Sequence, residues 1–125
     1  MTEMKKYRFL VADDNPINIK VTDFILKPAA QLIDYAVNGE QVVEKFLANE
    51  YDVILMDVKM PVMDGYEATK RIRREEEKKQ SDKKITIIAT TANNQPEEAE
   101  YCKSVGMNEL VAKPFNLSDI LSIIE

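Results

Sequence analysis

The chain has 125 residues, 45% hydrophobic and 31% charged, a size and balance that fit one compact domain over residues 1–125 whose core needs no staples. A single cysteine, Cys102, excludes an internal disulfide framework and a cysteine-based zinc site, and the absence of histidine removes the commonest metal ligand and general base, so any metal must be hard and oxygen-ligated. The net charge of −5 argues against direct nucleic-acid binding, and no apolar run approaches the ~18–20 residues of a membrane span; the expectation is a cytoplasmic domain with no nucleic-acid or membrane partner.

The run from Arg8 to Ala12 predicts a buried strand closed by Asp13 and Asp14. Pro16 suits the first turn of a helix, where its missing N–H costs nothing. Ile17, Val21, Phe24 and Ile25 follow at helical spacing, and Pro28 stops that helix near Lys27. Leu32 to Ala36 predicts a second strand. Asn38 and Gln41 form a capping-box pattern before a helix whose apolar face is Val42, Val43, Phe46 and Leu47.

The clearest buried strand is Val53 to Met56, which ends at Asp57. A loop with Pro61 and Gly65 leads into a helix from about Tyr66, which enters the charged stretch from Arg71 to Lys84. That stretch predicts a solvated helix end and a loose loop, with a binding tail as the alternative. Ile85 to Ala89 predicts a fourth strand. Pro96 opens the fourth helix, Gly106 suits its C-terminal cap, and Leu110 to Ala112 predicts a short fifth strand before Lys113. Asn116 caps a last helix carrying Leu117, Ile120, Leu121 and Ile124. Strand and helix alternate five times, which implies an α/β fold with a parallel sheet covered on both faces.

Polar residues interrupt the apolar strands at their C-terminal ends: Asp13 and Asp14, Asp57, Thr90 and Thr91, and Lys113. Open parallel sheets bind ligands beyond those ends, at the switch point in strand order. Three carboxylates gathered there repel one another and raise one pKa. A cation relieves that, and Mg²⁺ is the natural one for oxygen ligands because it uses few carboxylates and keeps several waters. Lys113 adds a fixed positive charge, so the set is prepared for a phosphoryl group. Taken singly, each residue has a plainer role: an Asp after a strand caps a helix, a strand-end Thr caps a turn, and a Lys before Pro lies on the surface. Their joint placement on four of five strands is what points to chemistry.

The motifs "VADDNPIN", "ILMDVKMPVMDGYEAT", "IIATTA" and "VAKPF" resemble the receiver domain of two-component response regulators, most closely the receivers of hybrid sensor histidine kinases. The resemblance runs from about Tyr7 to Ile124. It implies a flavodoxin-like fold with strand order 2-1-3-4-5. It also implies that Asp57 forms an aspartyl phosphate, that Asp14 ligates Mg²⁺ directly, and that Asp13 holds a metal-bound water. The carbonyl of Lys59 would be a further metal ligand. Lys113 would pair with the phosphoryl oxygens, Thr91 would be the switch hydroxyl, and Ala92 the small residue whose N–H faces the phosphate. A cis Lys113–Pro114 bond is implied as well.

The implied function is a phosphorylation-activated switch. It accepts its phosphoryl group from a histidine kinase or histidine phosphotransfer protein in a Mg²⁺-dependent reaction, and signals to a downstream effector domain or protein. The domain would catalyse its own phosphorylation and dephosphorylation without being an enzyme on external substrates. One position departs from the family: an aromatic residue usually precedes the lysine by three, and Leu110 stands there, so coupled movement of the hydroxyl and a ring cannot operate in its usual form. Two other classes compete with this reading. One is a binding module without phosphorylation. The other is a Mg²⁺ phosphohydrolase, which would need an aspartate where Lys59 stands.

Overall fold

The computed structural model describes residues 5–92 and 95–125. Five strands, β1 (Tyr7–Ala12), β2 (Ala30–Ala36), β3 (Val53–Asp57), β4 (Thr86–Thr91) and β5 (Glu109–Ala112), form one sheet in the order β2-β1-β3-β4-β5. All four pairings are parallel. Among the described residues five α-helices follow the strands in turn, α1 (Pro16–Leu26), α2 (Gly39–Ala48), α3 (Gly65–Lys78), α4 (Pro96–Val105) and α5 (Leu117–Ile124), and a 3-10 turn (Lys27–Ala29) joins α1 to β2. This is the three-layer α/β architecture expected from the alternation. No helix among the described residues is long and apolar enough to cross a membrane.

Side chains of a strand alternate between faces, and two cores result. Leu10, Ile54, Met56, Ile87 and Ala89 meet Val42, Ala68, Ile72 and Cys102 beneath α2, α3 and α4. Phe9, Val11, Val53, Leu55 and Ile88 meet Leu26 and Ile120 beneath α1 and α5. The central strand β3 is buried at every residue, as its unbroken apolar run implies.

The helix starts follow local chemistry. Asn15, Asn38, Asp64 and Asn116 each accept a backbone N–H of the first turn. Of the box expected at Asn38, half forms: Asn38 accepts from the N–H of Gln41, but Gln41 Oε1 accepts from Val37 rather than from Asn38. A full reciprocal box forms instead between Asn116 and Asp119. Gly106 ends α4 at φ 113°, a left-handed conformation that favours glycine. The bond before Pro114 is cis, as expected.

Beyond the half-formed box, three sequence expectations fail in their details, the first being Leu47, expected on the apolar face of α2 but 47% exposed. The stripe Ile17, Val21 and Phe24 does not face the core; Phe24 is 81% exposed, while Thr22 and Leu26 are the buried residues of α1. The stretch after Arg71 is not wholly a solvated end. Glu76 is 4% exposed and pairs with Arg73 at 2.8 Å, its second oxygen accepting from the N–H of Ile85 at 2.7 Å. The α1 correction comes from tertiary packing that periodicity cannot see, and the Glu76 correction from a charge run that masked a buried helical stripe.

Candidate phosphoacceptor site

The strand order reverses about β1, whose neighbours are β2 and β3. The C-terminal ends of β1 and β3 therefore open onto a crevice at the switch point. Asp13 and Asp14 follow β1, and Asp57 is the last residue of β3. One carboxylate oxygen from each of the three lies within 4.8 Å of the others. Asp13 and Asp57 are buried, and Asp14 is exposed at the mouth.

Lys113 follows β5, two strands away from β3, a gap of about 10 Å at ordinary strand spacing. Its side chain crosses that gap. Its ammonium Nζ donates to Asp13 Oδ2 at 3.0 Å and to Asp57 Oδ2 at 3.2 Å. The backbone N–H of Lys113 donates to the carbonyl of Thr91 at 2.7 Å, which fixes the turn from which the side chain departs.

Both oxygens of Asp57 are engaged. Oδ2 takes the ammonium, and Oδ1 accepts from the backbone N–H of Lys59 at 3.2 Å. Burial raises the Asp57 pKa; the Lys59 N–H and Lys113 oppose this, and the charge of Asp13 adds a smaller upward push. The expected repulsion among the carboxylates is thus present, but desolvation is the larger cause. Burial alone would lower the pKa of Lys113, yet its bonds and charge contacts with Asp13 and Asp57 raise it overall.

The remaining expected residues lie at the ends of neighbouring strands. Thr90 pairs in register with Asp57, so Thr91 lies one residue beyond it at the end of β4, buried. Thr91 follows Ile87 and Ala89 at the strand's period of two, on the α4 side of the sheet. Ala92 is exposed just after it, and the Lys59 side chain is exposed. Asp14 and Lys59 line an open cleft with Met60, Pro61, Asp64 and Tyr66. Leu110 is half-buried on β5 and packs into the core beneath α4.

Sequence reasoning did not single out Gly65 or Asn15. A Cβ on Gly65 would lie 2.5 Å from the carbonyl oxygen of Asp57, so only glycine lets α3 start this close to the strand end. Asn15 donates its N–H to Asp13 Oδ1 at 2.9 Å and also caps α1, so it orients the acid from the helix side. The "DG" before a helix was the legible signal for the first; nothing short of the fold reveals the second.

Chemically, three carboxylates and one ammonium at the rim of a buried strand end suit a small, hard divalent cation. The exposed mouth at Asp14 leaves room for water or an incoming anion.

The architecture and the acidic cleft at its switch point define an open parallel α/β domain with a candidate cation site, and comparison with known proteins supplies the family. The response regulator receiver domain family matches residues 9–125, and the chain belongs to it. Hybrid signal transduction histidine kinase B of Dictyostelium discoideum is 39% identical over 91% of this chain, which spans 6% of that protein. The receiver domain of Ssk1 from Saccharomyces cerevisiae, solved with the histidine phosphotransfer signalling protein Ypd1, superposes with a TM-score of 0.89. It is 28% identical, with 98% of this chain and 89% of that one covered. The Mg²⁺-complexed receiver domain of the histidine kinase CKI1 from Arabidopsis thaliana has a TM-score of 0.81 and 31% identity, covering 98% of this chain and 95% of that one.

Proposed function

We propose that this chain, as one domain, is a phosphorylation-activated switch whose acceptor is Asp57. The observation that carries the reading is the bridge from Lys113 to Asp13 and Asp57 across the strand ends, beside an acidic trio. A carboxylate oxygen of Asp57 forms a bond to phosphorus as the donor's bond to its leaving group breaks. The leaving group departs on the opposite side and takes up a proton. The product is a mixed anhydride on Asp57.

Asp13, Asp14, Asp57 and the carbonyl of Lys59 would hold Mg²⁺, which supplies charge neutralisation for the phosphoryl oxygens when bound. Lys113 turns its ammonium from the carboxylate to a phosphoryl oxygen. The N–H of Ala92 and the hydroxyl of Thr91 face the other oxygens, and Thr91 carries the change towards α4. The same residues support self-catalysed phosphorylation and hydrolysis. In hydrolysis, water entering past the exposed Asp14 forms a bond to phosphorus as the bond from phosphorus to the Asp57 oxygen breaks, which returns the carboxylate and releases inorganic phosphate and a proton.

The donor in this reading is a histidine kinase or a histidine phosphotransfer protein. The exposed Ile17, Val21 and Phe24, at i, i+4 and i+7 on α1, form an apolar stripe on the helix that starts beside the acidic trio. A donor's apolar helix face would cover that stripe while its phosphohistidine reaches Asp57. Output passes to an effector domain or protein through the face around α4, β5 and α5.

The test is incubation with acetyl phosphate and Mg²⁺, followed by intact mass. One phosphoryl group adds to the native protein and none to Asp57→Asn, whose amide is a far poorer nucleophile. Stoichiometric labelling of that variant overturns the assignment.

A further inference from the structure

The two ends of α4 are held very differently. Its C-terminal end is fastened to α3 and β4. Arg73 Nε donates to the Gly106 carbonyl at 2.9 Å, and an Arg73 guanidinium N–H donates to Asn108 Oδ1 at 3.0 Å. That same oxygen accepts from the Ile87 N–H at 2.8 Å, and the Asn108 N–H returns to the Ile87 carbonyl at 2.8 Å. Within the helix only Cys102, near this end, is fully buried.

The N-terminal half has one side-chain hydrogen bond to another element among the described residues. It comes from Tyr66 on α3, whose hydroxyl donates to Glu98 at 3.4 Å, a long bond. The Tyr66 ring meets Tyr101, at the middle of the helix, edge-on, with centroids 4.7 Å apart and planes at 79°, and its hydroxyl also interacts with Cys102. Gln95 provides no side-chain cap to the first turn.

Tyr66 follows directly on a residue packed against the acceptor. Its neighbour Gly65 donates its N–H to the Val58 carbonyl at 3.1 Å and packs against the backbone of Asp57 with no room for a Cβ. One side of Tyr66 lines the cleft with Asp14, Lys59 and Asp64, and the other faces α4. Leu110, on the opposite flank of α4, packs into the same core but has no polar atom. Tyr66 thus brings a ring and a hydroxyl to α4 from α3.

We propose that Tyr66 is the positioning residue that ties the N-terminal half of α4 to the phosphoacceptor loop, doing from α3 what a ring on β5 would otherwise do. In the resting state the Tyr66–Glu98 contact latches α4. A change at Asp57, passed to the β3–α3 loop and to Thr91, alters the fit of that latch, and α4 turns about Arg73 and Gly106. The inference rests on the proposed role of Asp57.

The experiment compares amide spectra of the native protein, Tyr66→Phe, Tyr66→Leu and Glu98→Ala, each with and without Mg²⁺ and beryllofluoride. In the native protein, beryllofluoride shifts amides around Asp57 and those of 96–101. In Tyr66→Phe and Glu98→Ala, the resting amides of 96–101 already lie part-way towards their beryllofluoride positions. In Tyr66→Leu the response around Asp57 persists, while the response of 96–101 falls at least twofold, and Tyr66→Phe retains more of it because the ring remains. An undiminished α4 response in Tyr66→Leu, or resting shifts confined to immediate neighbours in the other two variants, overturns the proposal. If Tyr66→Leu does not fold, those two variants decide. Absence of any response around Asp57 in the native protein overturns the phosphoacceptor reading itself, which separates the two failures.

Discussion

Lys113 Nζ lies 3.2 Å from Oδ2 of Asp57, a contact made across 56 residues of chain. The same ammonium holds Asp13 at 3.0 Å. Three carboxylates therefore share one fixed positive charge, and two of them are buried. A second cation entering this site should relieve the excess, so divalent metal and folding are linked.

Mg²⁺ should accordingly raise the melting temperature of the native protein. At about 100 times the dissociation constant the gain is about 2.7 kcal/mol. Asp14→Asn should shrink the rise, since it removes an oxygen charge from the mouth of the trio. Lys113→Met should enlarge it, because Asp13 and Asp57 lose their resident cation and the metal-free reference becomes less stable. Thermal melts with and without Mg²⁺ check both. Equal Mg²⁺ shifts in all three proteins would place the metal elsewhere.

The polar network around Arg73 gives a stability prediction remote from the acceptor. Glu76 is 4% exposed, and Arg73 is its cation at 2.8 Å. Arg73→Ala leaves a buried carboxylate unpaired and also removes donors to Ile85, Gly106 and Asn108. Removing one partner of a buried pair costs about 3–5 kcal/mol. Urea unfolding should show a loss in that range, and a loss under 1 kcal/mol would mean that Glu76 finds water instead.

A third prediction concerns acid. Arg8 donates to both oxygens of Asp52, and its backbone N–H donates to Oδ2 at 2.8 Å. The Arg8 side-chain bond is the main cause holding the Asp52 carboxyl below its ordinary 3.8, against burial. A depressed folded pKa means that the unfolded state binds the proton more tightly. The stabilisation is therefore complete above pH 3.8 and is lost as pH falls through the lower, folded value. Asp52→Asn should be less stable than the native protein at pH 6, with the gap closing as pH drops below 3.8. A gap constant from pH 6 to pH 2.5 would show that the pair contributes nothing through charge.

These sites differ in how far sequence could reveal them. Asp13, Asp57, Thr91 and Lys113 were legible because each breaks an apolar run at the end of a strand, and parallel topology brings such ends together. The fold followed from the same alternation. The orientation of α1 did not, because the apolar spacing of Ile17, Val21 and Phe24 equals that of a core face. Only the packing of Thr22 and Leu26 decides which side turns inward. The role of Glu76 was hidden inside a charge run, although it extends the stripe of Ala68 and Ile72 by one more step of four. An acid on a buried stripe is the signal that charge density masked. The Tyr66 contact with α4 joins residues 32 apart and leaves no local pattern.

Gly65 provides the last prediction, because it couples packing to the acceptor directly. The residue opens α3 straight after its cap, Asp64, so its need is for space. An added Cβ would meet the Asp57 carbonyl oxygen at 2.5 Å, Met56 Cγ at 2.8 Å and Val58 Cα at 3.2 Å. Two of those three atoms are backbone of the strand end and its exit, which a side-chain rotation cannot move. Gly65→Ala should destabilise the fold by about 1–3 kcal/mol, the usual cost of overpacking. It should also displace Asp57 and so slow labelling by acetyl phosphate. Gly39→Ala is the comparison: its Cβ would be as crowded, 2.5 Å from the Met63 carbonyl oxygen, but against the α3 entry loop and not the acceptor. Urea unfolding should give similar losses for the two variants, while labelling rates measured where both are folded should fall further for Gly65→Ala. Equal labelling rates would mean that α3 moves away as a unit and leaves Asp57 where it is.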